Sequence, residues 1–326
     1  MNKLTLIGLG ALCLSPLAFP LFFDSGDEFP SWAYPVEAQQ RPGGPRVATP
    51  KDDGKQFRVP DSDVALTRTQ IDGKDEAPDW HPNDHPAMPD VVRAGKPGVR
   101  ACGYCHMPNG AGRPDNASLA GLPQDYIKRQ IENFKTGNRK GSKSERTVQK
   151  QMIEVASKVS PEDAEAAAAY FSSLMLASYL KVEEADNVPK TVVAGGILVK
   201  DPAGGTEPIG KRIIEVPEDS ERASLRDSHT TYVAYVPKGA LAKGKTIVTT
   251  GGGKTTACAT CHGPDLHGAG DVPHIAGRSP SYVMRQLYDI QHNARTGSVT
   301  FMQQVVQNLE PDDMVAVAAY VASLQP

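Results

Sequence analysis

Two five-residue stretches decide how this chain is read: Cys102-Gly103-Tyr104-Cys105-His106 and Cys258-Ala259-Thr260-Cys261-His262. Each is C-x-x-C-H, and the surroundings of one repeat the surroundings of the other. Counted from His106 and His262, Leu119-Ala120-Gly121 and Ile275-Ala276-Gly277 both fall at +13 to +15. Tyr126 and Tyr282 fall at +20, and Arg129-Gln130 and Arg285-Gln286 at +23 and +24. The register then slips by six residues in a loop and recovers, so that Met152 precedes Tyr170, and Met302 precedes Tyr320, by 18 residues. Ser160-Pro161-Glu162-Asp163 and Glu310-Pro311-Asp312-Asp313 each read as a helix start, a polar or acidic cap followed by proline. Both copies close on an Ala-rich helix ending in Tyr170-Phe171-Ser172-Ser173-Leu174 or Tyr320-Val321-Ala322-Ser323-Leu324.

C-x-x-C-H is the attachment sequence of c-type haem. Two thiols at i and i+3 on one helical turn add across the two vinyl groups, and the adjacent histidine offers an imidazole nitrogen to the iron from the same face. Cys102, Cys105, Cys258 and Cys261 are therefore expected to carry two covalently bound haem c groups, with His106 and His262 as axial ligands. The sixth ligand must come from the opposite face. Met152 and Met302 stand on equivalent approaches to the last helix, and a soft thioether suits haem iron. Met107 is too close to its own histidine to reach that face, and Met284 reads as core. His267, His274 and His292 have no counterparts at the same offsets in the first copy, so they read as surface residues or supports around the site. A lone C-x-x-C could hold zinc or perform thiol redox chemistry. The complete motif, the doubling and the matches beyond it favour haem. One difference is expected to matter: Pro273 in the second copy stands where the first has Ala117, which predicts a less rigid hydrogen bond to His106.

These residues resemble the class I cytochromes c, and the chain looks like a di-haem member made of two fused monohaem folds. The resemblance covers about residues 90–176 and 238–326. It rests on C-x-x-C-H, the Leu/Ile-Ala-Gly turn, the methionine and the closing Ala-Ala-Tyr helix. It implies His/Met coordination at both irons and an all-α fold around each haem.

Outward from the repeats, the chain divides into an export signal or membrane anchor (1–23), a Pro-rich irregular extension (24–88), a first haem domain (89–176), a connector with short strands (177–237) and a second haem domain (238–326). Lys3 followed by an apolar run over 4–23 describes an export segment. At about 20 residues it is also long enough for a membrane tether. Cys13 sits inert within it. The dense Trp80-His81-Pro82-Asn83-Asp84-His85-Pro86 stretch suggests surface-wrapping chain. His81 and His85 could bind a metal or be plain surface histidines. In the connector, Thr191-Val193, Arg212-Val216 and Tyr232-Val236 are β-like.

The composition agrees. The 326 residues carry 35 Lys plus Arg against 38 Asp plus Glu, a balance that excludes a dedicated nucleic-acid binder. Aromatics are only 6%, as expected where a porphyrin fills each core. Each copy is small enough to be marginal without such a staple. Residues 101–150 hold nine Lys or Arg against four Asp or Glu, which reads as a solvated face or as a basic surface for an acidic partner. Arg129 and Arg285 read either as haem-propionate partners or as exposed helix arginines.

With two protein ligands on each iron, a periplasmic electron carrier is expected. Its redox partners would be a dehydrogenase or quinol-oxidising complex on one side and a terminal oxidase or reductase on the other. A di-haem peroxidase-like enzyme and a haem subunit of a dehydrogenase complex are the alternatives; the equal placement of both methionines argues against the first.

Overall fold

The computed structural model describes residues 29–37 and 52–326. The apolar run at 4–23, with Cys13, lies outside the described residues. Among those described, no helix is long and apolar enough to cross a membrane.

From residue 52 on, the extension carries a small antiparallel pair, Gln56–Phe57 (β1) with Leu66–Thr67 (β2), and a short helix Arg68–Asp72 (α1) capped reciprocally by Thr67 and Gln70. The chain beyond α1 is irregular, as its prolines dictate, but it is more than a surface wrap. Trp80 is 1% exposed, packs with Val59, Ile71 and Leu225, and donates its indole N–H to the Leu225 carbonyl at 2.8 Å.

The first repeat supplies Asp90–Arg93 (α2), Cys102–His106 (α3), Gln124–Lys135 (α4), Thr147–Lys158 (α5) and Pro161–Ser173 (α6). The Ser160 hydroxyl accepts the Asp163 N–H and Pro161 occupies the first turn, the start the sequence predicts. Ile127, Phe134, Ala167, Ala168 and Phe171 are buried on α4 and α6.

The connector carries Leu180–Glu184 (β3), Asn187–Pro189 (β4), Thr191–Ala194 (β5), Ile197–Lys200 (β6), Thr206–Pro208 (β7), Ile214–Pro217 (β8), Ser220–Ser224 (α7) and Tyr232–Val236 (β9). Its main sheet has the order β3-β9-β8, β3 parallel and β8 antiparallel to β9; β4 pairs with β7 and β5 with β6. All-α thus describes the repeats and not the whole chain: among the described residues helix accounts for 38% and strand for 14%. The physical reason lies in β8, where all four residues are buried and the Ile/Val spacing suits a strand covered on both faces. The buried Glu215 carboxylate on β8 accepts from the Ser279 hydroxyl at 2.7 Å and the Ser281 N–H at 3.2 Å, which fastens the connector to the second repeat.

That repeat supplies Ala240–Thr250 (α8), Ala259–His262 (α9), Pro280–Gln291 (α10), Thr300–Val306 (α11) and Pro311–Ala322 (α12). α8 lies so close to α12 that a Cβ on Gly244 would stand 2.0 Å from the Ala316 carbonyl oxygen. Only glycine permits that approach. Residues 29–37 pack on α10, with the Tyr34 hydroxyl donating to Asp289 at 2.7 Å and Phe29 edge-on to Tyr288.

Candidate functional site

The two motifs fold alike because the loop after each is wired alike. Six residues beyond each histidine stands a glycine with positive φ, Gly112 (+68°) and Gly268 (+84°). Each donates its N–H to the carbonyl of the motif histidine, at 3.0 Å from Gly112 to His106 and 2.7 Å from Gly268 to His262. A Cβ on either would collide with backbone, 2.6 Å from the Ala117 oxygen or 2.5 Å from the Val272 oxygen. The turn brings the carbonyl at +11 back over the imidazole. His106 Nδ1–H donates to Ala117 O and His262 Nδ1–H to Pro273 O, both at 2.8 Å. The expected difference between these bonds is therefore absent. The carbonyl's place is set by the loop's backbone hydrogen bonds, and the proline ring adds nothing to it. Burial pushes both histidines below the ordinary imidazole range, and the Nδ1–H bonds leave Nε2 as the ligand atom.

All eight predicted site residues open on one cavity. Cys102, Cys105, His106 and Met152 line one part of it and Cys258, Cys261, His262 and Met302 the other. It encloses about 2780 Å³ free of protein atoms, part of it open to solvent. The four motif cysteines form no disulfide. Burial pushes the Cys102 thiol up to about 12 and Cys258 up to about 11, unlike the depressed values of thiol-redox centres. Met284 is a buried core residue, as expected, Met107 is buried as well, and His274 lines the cavity.

The polar lining tests the fit to haem. Arg139, Arg146, Arg278, Arg285 and Arg295 are buried around the cavity, against two buried carboxylates in its wall, Asp115 and Asp289. Arg146 Nε, Arg295 Nε and Gln130 Nε2 are buried without a protein hydrogen-bond partner. Burial and then the neighbouring Arg285 push the Arg146 guanidinium down to about 9; burial takes Arg278 down to about 10. A surplus of buried cations with idle donors calls for anions, and a haem brings two carboxylates on an apolar ring. The residues fit the group.

Of the two arginines singled out in the sequence, Arg129 is exposed and paired with Asp271 at 3.0 Å. Arg285 is buried, donating to the Ala33 and Pro114 carbonyls. The pair that joins the halves was missed. Arg139 donates to Gln130 (2.9 Å), Tyr282 (2.7 Å) and Gln286 (2.9 Å). Arg295 donates to Gln286 (3.0 Å), Tyr126 (2.9 Å) and Gln130 (3.0 Å). The arrangement is a pseudo-two-fold knot, closed by an antiparallel bridge between the two arginines. The signal was present: both arginines lie at +33 from their histidine, before the register slips.

The copies differ in what covers them. The connector roofs the first motif. Arg226 stacks on Tyr104 at 3.9 Å and donates to its carbonyl at 2.6 Å, Asn109 donates to Ser228 O at 2.9 Å, and Arg113 to Gly195 O at 3.2 Å. Over the second motif Thr260 and Cys261 are exposed. The nine basic residues of 101–150 are disposed unevenly, with Lys135, Lys140 and Lys150 exposed. Arg113, Arg139 and Arg146 are buried, and Lys128, Arg129 and Lys143 are in ion pairs.

The family model described as cytochrome c matches residues 92–175 and again 241–325. Cytochrome c4 of Azotobacter vinelandii is 26% identical over 238 residues, 71% of this chain and 88% of that protein. The thiosulfate dehydrogenase electron acceptor of Stutzerimonas stutzeri is 38% identical over 87 residues, 26% of this chain and 39% of that one. Among solved structures, a thiosulfate dehydrogenase of Marichromatium purpuratum aligns over 71% of this chain and 38% of its own at 26% identity and a TM-score of 0.48. With a cytochrome c match over each repeat and a C-x-x-C-H motif in each, the chain belongs to the cytochrome c family, as a class I di-haem member with two covalently bound haem c groups.

Proposed function

We propose that this protein is a periplasmic carrier that exchanges single electrons with a dehydrogenase or quinol-oxidising complex on one side and a terminal oxidase or reductase on the other. The observation that carries this is the shared cavity. Two complete sets of thiols, imidazole and thioether face it from opposite halves, so neither half keeps a coordination position for a substrate. Cys102 and Cys105 would hold the first haem, with His106 and Met152 as axial ligands; Cys258 and Cys261 the second, with His262 and Met302. The bound haems supply reversible one-electron storage. Around them the chain positions each imidazole through a backbone carbonyl, balances buried carboxylates with guanidinium groups, and shuts water from the inner walls. The open face at Thr260 and Cys261 is where a partner approaches the second haem; the roof over Tyr104 and Cys105 keeps partners from the first.

A second reading has support from the Stutzerimonas relative, whose name makes it an acceptor for thiosulfate dehydrogenase. On it, the donor is a sulfur-oxidising dehydrogenase. One experiment on the purified holoprotein tests the function. Two low-spin haems per chain that are reduced and reoxidised without consuming peroxide are expected. A high-spin haem with rapid peroxide turnover would replace the carrier with an enzyme. Replacing Met152 or Met302 by Ala should each convert one haem of two to high spin.

A further inference from the structure

One pair of histidines lies outside the residues that recur at matching offsets. His81, from the extension, is buried, and its Nε2–H donates to Asp227 Oδ1 at 2.8 Å. The Asp227 side chain is itself fully buried and receives Arg222 Nε at 2.6 Å and the His229 N–H at 2.9 Å. A carboxylate so held fixes the imidazole tautomer and leaves Nδ1 with the lone pair, the arrangement found behind metal-ligating histidines. His229 and Asp84 stand in front of His81, with His229 Nε2 2.6 Å from Asp84 Oδ2. Ligand atoms from His81, Asp84 and His229 all lie within 4.8 Å of one another.

From this geometry we infer a binding site for a divalent transition-metal ion, zinc or copper(II), made by His81, Asp84 and His229. Two imidazoles and one carboxylate suit such borderline ions and are a poor set for calcium or magnesium, which take oxygen ligands. His85, the other histidine of the stretch, is no ligand, because Asp79 and the Pro86 carbonyl occupy its two nitrogens. As the residues stand, the His229 ring lies flat on His81, centroids 3.6 Å apart. Ligation requires that ring to turn about its Cβ–Cγ bond so that a nitrogen rather than its face meets the ion. Its 40% exposed side chain has room to do so. The remaining positions on the ion face solvent. Since the ligands come from the extension and the connector, the ion would clip together two segments about 145 residues apart, beside the roof of the first haem site.

The test uses the full di-haem protein, treated with chelator, titrated with Zn²⁺ alone and desalted, with zinc and iron counted by mass spectrometry. One zinc per two irons and a raised melting temperature on zinc addition are expected. His229→Ala and Asp84→Asn, both at exposed positions, should each weaken retention at least tenfold. His267→Ala, which alters the other adjacent histidine pair (His267 with His274), should leave it unchanged. Wild type that retains no zinc, or retention that survives both exposed-site substitutions, would overturn the proposal. Haem content serves as the internal control for folding in every variant.

Discussion

The loop at 107–116 and the loop at 263–272 are the same object in two settings. Each follows a motif histidine, turns on a glycine at +6 and returns a carbonyl at +11 to the imidazole at 2.8 Å. Around the first, residues 110–116 are all buried, under Arg226, Ser228 and Gly195 of the connector. Around the second, residues 269–271 and the motif's Cys261 are exposed. Ligand geometry is thus a property of the repeat, whereas access is a property of what the rest of the chain lays over it. The two repeats share the loop that holds the imidazole, and the extension and connector leave the two loops differently covered.

The comparison breaks most severely at Trp80, which packs the extension onto Leu225, next to the roof residue Arg226. Trp80→Ala should cost about 3–5 kcal/mol, as for other fully buried large aromatics. The loss should fall on the first domain. Thermal unfolding followed at each haem's absorbance should show the first site melting early and the second nearly unmoved. Equal shifts at both would mean that the roof stabilises the whole chain rather than one half.

A smaller effect probes what the halves share. Arg139 and Arg295 each bridge Gln130, Gln286 and a tyrosine from the other half. Tyr126, in spite of its burial, is pushed below the ordinary phenol range because Arg295 and Arg139 sit against it, a sign of how much positive charge the knot concentrates. Arg139→Ala and Arg295→Ala should each destabilise by about 1.5–3 kcal/mol, the range for hydrogen bonds to charged groups. Contact through common glutamines means the double variant should depart from additivity by about 0.5–3 kcal/mol. Strict additivity in denaturant unfolding would show that the two arginines act separately.

The same division separates the features legible in the sequence from those that were not. The cysteines, histidines, methionines, capped last helices and the paired tyrosines and glutamines were legible because each occurs twice at equal spacing. The strands β5, β8 and β9 were visible as β-branched runs, but the roof made by Gly195 after β5 and by Arg226 and Ser228 before β9 was not, since it depends on contacts such as that of Tyr104 with Arg226, 122 apart. The reading of Pro273 failed for a related reason: a ring's stiffness is local, but the carbonyl was already fixed by Gly268 and the backbone around it. His81 reads as a surface residue between prolines until the connector supplies Asp227.

The smallest effect sharpens the comparison inside the repeats. The last helix of each copy begins on a carboxylate that takes a lysine from just before its motif, Asp163 with Lys96 and Asp313 with Lys254, both at 2.6 Å. Asp313 is fully buried and also receives Lys243 at 2.8 Å, whereas Asp163 is 9% exposed and has the one lysine. For Asp163 the Lys96 hydrogen bond holds the carboxyl below the usual range. For Asp313 burial acts upward, but Lys243 and Lys254 outweigh it and the net displacement is again downward. A carboxyl depressed on folding contributes stability that is complete above its unfolded value, about 3.9, and is lost as pH falls through the folded one. Both pairs should therefore stabilise fully at neutral pH and fail in acid. Asp313→Asn should cost about 1.5–3 kcal/mol at pH 7. Asp163→Asn, whose partner is half exposed, should cost about 0.2–1 kcal/mol. Each substitution should flatten the acid limb of stability against pH for its own domain, the second more than the first. An acid limb unchanged by Asp313→Asn would place the acid sensitivity of the second domain elsewhere, and would leave burial, not the ion pair, as the reason this helix starts where it does.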